Sequence, residues 1–158
     1  MQAQPGSSPP AVVPLRRPMR ILVVDDDPGI RALCAAVLSA DGFEILEAEN
    51  GNEGLRHALS LAPDLVLLDV SMPILDGFGL ATALRTNERT RDLPIVFISG
   101  EAEPEIESQA YDLGALAFFA KPFEPSVLAE FVNRVLQPFR PVGAAPRRNL
   151  GGLGETRP

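Results

Sequence analysis

The sequence predicts a doubly wound α/β domain, with a five-stranded parallel sheet and helices on both of its faces. Three short apolar runs, at residues 21–24, 65–68 and 95–98, are typical of strands buried on both faces of a parallel sheet. Segments with the apolar spacing of amphipathic helices separate these runs. Because βαβ crossovers are right-handed, this alternation is satisfied most compactly by the strand order 2-1-3-4-5.

Five strands and five helices are expected to alternate. Besides the three apolar runs, FEILEAE at 43–49 reads as an edge strand and ALAFF at 115–119 as a fifth strand. Less regular patterns place the third helix at about 77–88 and the fourth at about 103–113. The other helices follow from apolar residues three or four apart: Ile30, Leu33, Cys34, Val37 and Leu38; Leu55, Ala58, Leu59 and Ala62; and Val127, Leu128, Phe131, Val132, Val135 and Leu136.

Capping residues mark the starts of two helices. Asp27 precedes Pro28, and an aspartate N-cap followed by proline at the first helical position is a favoured start. Asn50 and Glu53 have the spacing of a capping box, with Asn in place of the usual Ser or Thr. We therefore assign Asp27 to helix capping and not to metal binding.

The composition limits the class of protein. Residues 1–18, with five prolines, and residues 139–158, rich in Gly, Pro and Arg, are predicted to be disordered tails around a domain at about 19–138. The net charge of −7 argues against a nucleic-acid surface, and no apolar run is long enough to span a membrane. The N-terminus has no secretory-signal pattern, and Cys34, as the only cysteine, cannot form an internal disulfide and is predicted to lie in the core. We therefore expect a cytoplasmic protein.

Charged and hydroxyl residues stand at the ends of the predicted strands. Asp25 and Asp26 follow strand 1, Asp69 follows strand 3, Ser99 follows strand 4, and Lys121 comes shortly after strand 5. Adjacent strands lie about 4.8 Å apart, so these side chains should converge at the carboxyl edge of the sheet, where ligands bind in such folds. Three carboxylates form a hard oxygen site suited to Mg²⁺, and a central carboxylate is a nucleophile towards phosphoryl groups.

Lys121 is the only lysine among the 14 basic residues of the chain. A lysine ammonium is a compact, mobile point charge, whereas an arginine guanidinium is a rigid fork. A place beside the carboxylates, opposite a phosphoryl group, is therefore a physical reason for lysine here.

Four motifs resemble, in order and spacing, the receiver domain of bacterial two-component response regulators: ILVVDDDP, LVLLDVSMPILDGFGL, PIVFISG and FFAKPF. The resemblance covers about residues 19–138 and implies a flavodoxin-like signalling switch that catalyses only its own phosphorylation and autodephosphorylation. Asp69 would accept a phosphoryl group from a histidine on a sensor kinase or histidine phosphotransfer protein. Asp26, Asp69 and the backbone carbonyl of Ser71 would ligate Mg²⁺, with Asp25 acting through water.

The resemblance also implies the parts of a switch. Lys121 would pair with Asp69 and then with the phosphoryl group, while Ser99 would turn inward to bond a phosphoryl oxygen. Phe118, three residues before the lysine, would be the rotating aromatic residue, and the helix 4–strand 5–helix 5 face would change. Other features implied around the site are a cis peptide at Lys121–Pro122 and a loop shaped by Met72–Pro73 and Gly77.

The sequence departs from many transcription-factor receivers at Leu116 and Ala117, where those proteins carry an acidic pair. We therefore expect a monomer that engages a downstream protein of unknown identity, without direct nucleic-acid binding, rather than a homodimer on DNA. The chain reads either as a single-domain regulator similar to chemotaxis regulators or as a receiver cut from a longer protein. The kinase and the pathway do not follow from the sequence.

Two rival functions remain open. An unphosphorylated pseudo-receiver would use the same fold only for protein interaction. A haloacid-dehalogenase-like phosphatase is nearly matched by residues 25–29, but Gly29 stands where that family has Thr or Val. His57, the only histidine, is predicted to be a surface residue, and Glu101 is predicted to lie at the rim of the site.

Overall fold

The computed structural model describes residues 17–139 and contains one five-stranded parallel sheet of order β2-β1-β3-β4-β5. The predicted fold class and strand order are therefore confirmed. The predicted tails lie outside the described residues, except for Arg17, Pro18 and Phe139. The elements in chain order are β1 (Arg20–Val24), α1 (Pro28–Ser39), β2 (Glu44–Ala48), α2 (Gly51–Leu61), β3 (Leu65–Leu68), α3 (Gly77–Thr86), β4 (Ile95–Ser99), α4 (Pro104–Asp112), β5 (Ala117–Ala120), α5 (Pro125–Leu136) and a 3₁₀ turn (Gln137–Phe139).

The core consists of two apolar layers, one on each face of the sheet. Because side chains alternate along a strand, Ile21 and Val23 of β1 enter one layer and Leu22 and Val24 enter the other. The first layer is completed by α1 and α5, and the second by α2, α3 and α4. Cys34 belongs to the first layer and is 1% exposed, as predicted for a core cysteine. None of the helices in the described part of the chain has the length and apolar character needed to cross a bilayer.

The predicted helix caps are confirmed. Asp27 Oδ1 accepts a hydrogen bond from the backbone N–H of Gly29 at 2.8 Å, and Pro28 is the first residue of α1. Asn50 Oδ1 accepts one from Glu53 N–H at 2.9 Å. These bonds satisfy N–H groups that have no partner within their own helix.

Several predicted boundaries and exposures differ from the structure. β5 begins at Ala117 and not at 115, because Gly114, with φ of 81°, and Ala115 close the last turn of α4. Ala62 was expected in the second helix, but it is the left-handed residue that ends α2. Leu33 was placed on the buried face of the first helix, yet it is 37% exposed.

His57 is half-buried, so the predicted surface histidine is only partly exposed. Its Nδ1 is enclosed and has no hydrogen-bond partner in the described part of the chain. The residue lies on the flank of α2, beside the buried Ala58.

A single arginine joins the end of α3 to the segment that leads into β5. Arg85 Nε donates to the carbonyl of Leu113 at 2.9 Å, and its guanidinium also donates to the carbonyl of Gly114 at 3.2 Å. The same group bonds the carbonyls of Arg91 at 2.9 Å and Leu93 at 2.7 Å in the α3–β4 loop. Arg85 therefore links the segments that lead into β4 and β5, at the amino-terminal ends of these strands.

Candidate functional site

Asp25 and Asp69 lie side by side one residue beyond the paired ends of β1 and β3. The two strands are in register at Val24 and Leu68, and the Asp69 N–H donates to the carbonyl of Val24 at 2.9 Å. The Asp25 N–H bonds the carbonyl of Ala48 in β2 at 3.0 Å. The backbone ladder therefore brings both carboxylates to one point of the carboxyl edge, as the sequence predicts.

Three carboxylates meet at this point. One carboxylate oxygen from each of Asp25, Asp26 and Asp69 lies within 4.8 Å of the others. Asp25 and Asp69 are buried, at 2% and 5% exposure, whereas Asp26 is exposed. The cluster therefore combines two enclosed acids with one that faces solvent. Asp27 differs from its two neighbours, because its side chain caps α1.

Lys121 bonds to Asp25 more closely than to the predicted partner, Asp69. Its Nζ lies 2.8 Å from Asp25 Oδ2 and 3.5 Å from Asp69 Oδ2. Burial alone would lower the pKa of Lys121, but the hydrogen bond to Asp25 and the charges of Asp25 and Asp69 outweigh it and raise the pKa. The lysine is therefore held in its charged form between the two buried acids.

Asp69 is the carboxylate of the site whose ionisation is most disfavoured by its surroundings. Burial raises the pKa of Asp69 to about 7, and the charge of Asp25 adds to the rise while Lys121 opposes it. With all three acids ionised, Lys121 supplies one positive charge against three negative ones. A divalent cation would supply the remaining two, and oxygen-only donors within 4.8 Å of one another suit a hard cation such as Mg²⁺.

Ser99 and Ser71 stand beside the cluster and are linked through Glu101. Ser99 is the last residue of β4 and is 1% exposed. Its hydroxyl oxygen accepts a hydrogen bond from the Glu101 N–H at 3.0 Å, and the Ser71 hydroxyl donates to Glu101 Oε1 at 2.7 Å. Glu101 therefore lies at the rim of the site, as predicted.

Phe118 lies on β5, next to β4. It is paired in register with Phe97 and packs, partly buried, against the layer formed with α2, α3 and α4. Directly after β5, the Lys121–Pro122 peptide is cis, as the resemblance implies. The Lys121 N–H donates to the Ser99 carbonyl at 2.8 Å. The structure thus connects the residues at the ends of β4 and β5.

The loop after β3 approaches α3 so closely that one position must be glycine. A Cβ at Gly77 would collide with the backbone carbonyl of Asp69, and the Gly77 N–H donates to the Val70 carbonyl at 2.8 Å. The predicted role of Gly77 in shaping this loop has a steric basis here.

Two contributions were missed by sequence reasoning. Arg31, on the first turns of α1, donates from Nη1 to the backbone carbonyl of Asp25 at 2.7 Å and pairs with Glu47 at 3.2 Å. The hydroxyl of Ser71 was also missed, because its bond to Glu101 has no local signal in the sequence. Arg31 lies four residues after Asp27, but nothing in that spacing indicates a bond to a strand end.

Comparisons with known proteins agree with this geometry. Residues 21–133 match the family model described as the response regulator receiver domain. The DNA-binding dual master transcriptional regulator RpaA of Synechocystis sp. is 35% identical over 118 residues, which are 75% of this chain and 49% of that protein. The phosphate regulon transcriptional regulatory protein PhoB of Pseudomonas aeruginosa is 35% identical over 84% of this chain and 58% of its own length.

Solved structures give the same result. The Vibrio cholerae chemotaxis protein CheY4 superposes with a TM-score of 0.71 and 32% identity, covering 76% of this chain and 100% of that one. The chain spans about half the length of the curated relatives it matches. With its fold, its acidic cluster and a family match over residues 21–133, the chain belongs to the receiver domains of two-component response regulators, which are phosphorylatable signalling switches.

Proposed function

We propose that Asp69 is the phosphoryl acceptor of a two-component phosphorelay and that this chain is a competent receiver, not a pseudo-receiver. The observation that carries the proposal is the complete site: Asp25, Asp26 and Asp69 within 4.8 Å of one another, with Lys121 bonded between the buried pair. A pseudo-receiver has no need for this arrangement, since an unneutralised acidic cluster destabilises the fold.

In the reaction, a phosphoryl group passes from a histidine nitrogen to a carboxylate oxygen. A carboxylate oxygen of Asp69 attacks the phosphorus of a phosphohistidine on a sensor kinase or histidine phosphotransfer protein. An O–P bond forms as the P–N bond breaks, and the imidazole leaves with the electron pair and takes up a proton. Water later attacks the phosphorus, which releases inorganic phosphate and regenerates the Asp69 carboxylate. The chain is a signalling protein and not a classical enzyme, because it acts only on its own aspartyl group.

The residues around Asp69 have separate tasks in this scheme. Asp26, Asp69 and the backbone carbonyl of Ser71 would hold Mg²⁺, with Asp25 reaching it through water. When bound, the cation neutralises negative charge on the carboxylates and phosphoryl oxygens. Lys121, 3.5 Å from Asp69, would exchange its ion pair there for one with the phosphoryl group. The closer bond from Lys121 to Asp25 keeps the ammonium at the site during this exchange.

The switch follows from the change in charge. A phosphoryl group adds about two negative charges and strong acceptor oxygens at Asp69. The Ser99 hydroxyl gains a hydrogen bond by moving towards them, and Phe118, which has no hydroxyl to hold it at the surface, shifts inward behind β4. The surface of α4, β5 and α5 then changes its packing, and a downstream partner that prefers this state shifts the population further.

We infer the partners from the residues that stand where many transcription-factor receivers carry an acidic pair. Leu116 is 47% exposed and Ala117 is apolar, so the charged contact of transcription-factor dimers has no counterpart at these positions. We infer a cytoplasmic monomer that receives phosphoryl groups from a kinase or phosphotransfer protein and signals to a downstream protein without binding nucleic acid directly.

A time course tests the function against its rivals. Incubated with acetyl phosphate and Mg²⁺, the protein should gain one acid-labile phosphoryl group and lose it by hydrolysis after the donor is removed. A pseudo-receiver would gain none. A haloacid-dehalogenase-like phosphatase would instead turn over an added phosphate ester such as p-nitrophenyl phosphate, which a receiver should leave intact over the same period.

A further inference from the structure

Two loops at the carboxyl edge are joined by a hydrogen bond that the proposed phosphoryl chemistry does not use. Ser71 lies in the β3–α3 loop, two residues after Asp69, and its hydroxyl donates to Glu101 Oε1 at 2.7 Å. Glu101 lies in the β4–α4 loop, two residues after Ser99, and its N–H donates to the Ser99 hydroxyl oxygen at 3.0 Å. A continuous chain of hydrogen bonds therefore runs from one loop through Glu101 to Ser99.

The β4–α4 loop is anchored at its start and has room to move beyond it. The backbone of Ser99 is held by the bond from Lys121 N–H at 2.8 Å. A Cβ added at Gly100 would meet nothing within 4 Å, so open space surrounds the loop there. Residues 100–103 are exposed and belong to no helix or strand. The bond between Ser71 and Glu101 is a side-chain contact that ties this loop to the neighbouring β3–α3 loop.

We propose that Ser71 is a positioning residue, whose hydroxyl holds Glu101 and thereby keeps the Ser99 hydroxyl in its position before phosphorylation. The inference rests on the proposed function of Asp69. Ser99 stands on the strand next to β3, and its hydroxyl must approach the phosphoryl group on Asp69 to bond it. That movement either breaks the bond from Glu101 N–H or pulls Glu101 along, and the Ser71 hydrogen bond resists the second route.

The hydrogen bond between the Ser71 hydroxyl and Glu101, here called the tether, is weak enough to open during signalling. Both Ser71 and Glu101 are exposed, so water competes for their hydrogen bond. A net hydrogen bond of this kind changes an equilibrium by roughly 2- to 12-fold. Breaking it should shift the loop towards the phosphoryl-bound arrangement by a factor in this range, with no large change in the stability of the domain.

The test uses beryllofluoride, a phosphoryl mimic, titrated at saturating Mg²⁺ and followed by NMR. Ser71→Ala, which keeps the backbone carbonyl, should bind beryllofluoride roughly 2- to 12-fold more tightly than wild type. Ser71→Thr retains the hydroxyl and should restore the wild-type affinity. In a Glu101→Ala background, Ser71→Ala should have no effect, because the hydroxyl then has no carboxylate to hold.

Unchanged or weaker binding by Ser71→Ala would overturn the tether, and so would a gain that persists in the Glu101→Ala background. Amide exchange at Glu101 without any anion separates this inference from the proposed function. Faster exchange in Ser71→Ala than in wild type supports the tether. If beryllofluoride fails to bind the wild-type protein under these conditions, only the proposed function is overturned. Equal exchange in the two proteins overturns the tether.

Discussion

At the scale of single residues, three consecutive aspartates divide into different environments. Asp25 is buried against Lys121, Asp26 is exposed at the edge of the cluster, and Asp27 caps α1. The chain direction explains the division, because the strand ends at Val24 and the helix begins at Pro28. The three carboxylates therefore lie in different surroundings.

This division predicts how the fold responds to Mg²⁺. At ten times its dissociation constant, Mg²⁺ should stabilise the wild-type protein by roughly 1.4 kcal/mol, since it binds the assembled cluster and not the unfolded chain. Asp26→Ala should abolish that gain. Asp27→Ala should keep it while losing about 1 kcal/mol of helix capping. Thermal melts with and without Mg²⁺ measure both effects, and an Asp27→Ala protein without a Mg²⁺ response would refute the division.

The raised pKa of Asp69 predicts a pH-dependent cost to stability without metal. Its pKa is about 7 in the folded protein and near 3.8 when unfolded, so folding is favoured by this group below pH 3.8 and that advantage is lost as the pH rises through 7. Asp69→Asn does not ionise and escapes the loss. Relative to wild type, the variant should gain on the order of 1–3 kcal/mol between pH 4 and 8.

Urea unfolding at pH 5 and pH 8, in EDTA, measures this difference. The gain of Asp69→Asn over wild type should be larger at pH 8. A difference that stays constant across the range would show that Asp69 is not destabilised by its buried environment.

Sequence reasoning could bring Asp25, Asp69 and Ser99 to one edge of the sheet because strand ends are easy to read. Asp25, Asp69 and Ser99 follow or end apolar runs whose boundaries are clear, so their meeting at one edge follows from topology alone. The preference of Lys121 for Asp25 could not be predicted, since it depends on side-chain distances of 2.8 and 3.5 Å. The bond from Ser71 to Glu101 spans thirty residues and has no local signal.

At the scale of elements, the fold was predictable where one pattern dominated. β3 was predicted residue for residue, because a buried parallel strand is apolar throughout. β5 was misplaced because Ala115 and Leu116 are also apolar, although Gly114 uses its left-handed conformation to end α4 there. The end of α3 was also misplaced, at about 88 instead of Thr86, because this helix is followed by a turn and not by a clear breaker.

Among the residues of α3, we expect Arg85 to be one whose replacement lowers the stability of the domain strongly. Its guanidinium bonds four backbone carbonyls in two loops, so Arg85→Ala leaves these acceptors without that partner. We expect a loss of about 2–4 kcal/mol in the free energy of unfolding and faster amide exchange at 111–116. Arg91→Ala is the matched control, because the Arg91 side chain is 63% exposed and its ion pair is 4.0 Å long. Equal stability of the two variants would show that the four hydrogen bonds of Arg85 do not stabilise the domain.

At the scale of the whole molecule, the proposed function makes the site and the α4–β5–α5 surface the two ends of one switch. The cluster lies at the carboxyl edge, Ser99 ends β4, and Phe118 lies on the neighbouring β5. A change at Asp69 therefore has a short path to the surface through two adjacent strands. The family and the fold followed from four sequence motifs, but the state of assembly depends on surface contacts that motifs do not fix.

We expect the protein to remain a monomer when activated. Leu116 and Ala117 supply no charges for a symmetric ion-pair contact. Sedimentation with and without beryllofluoride should give one monomeric species, while amide exchange at residues 101–119 changes. Tight dimerisation on activation would contradict the monomer, and unchanged exchange across residues 101–119 would contradict the switch.

The most direct test of the phosphoryl-acceptor assignment is the intact mass of the protein after incubation with acetyl phosphate and Mg²⁺. Wild type should gain the mass of one phosphoryl group, and Asp69→Asn should gain none. Asp76→Asn, which changes an exposed aspartate that caps α3, should label like wild type. Equal labelling of wild type and Asp69→Asn would show that the phosphoryl group is carried elsewhere.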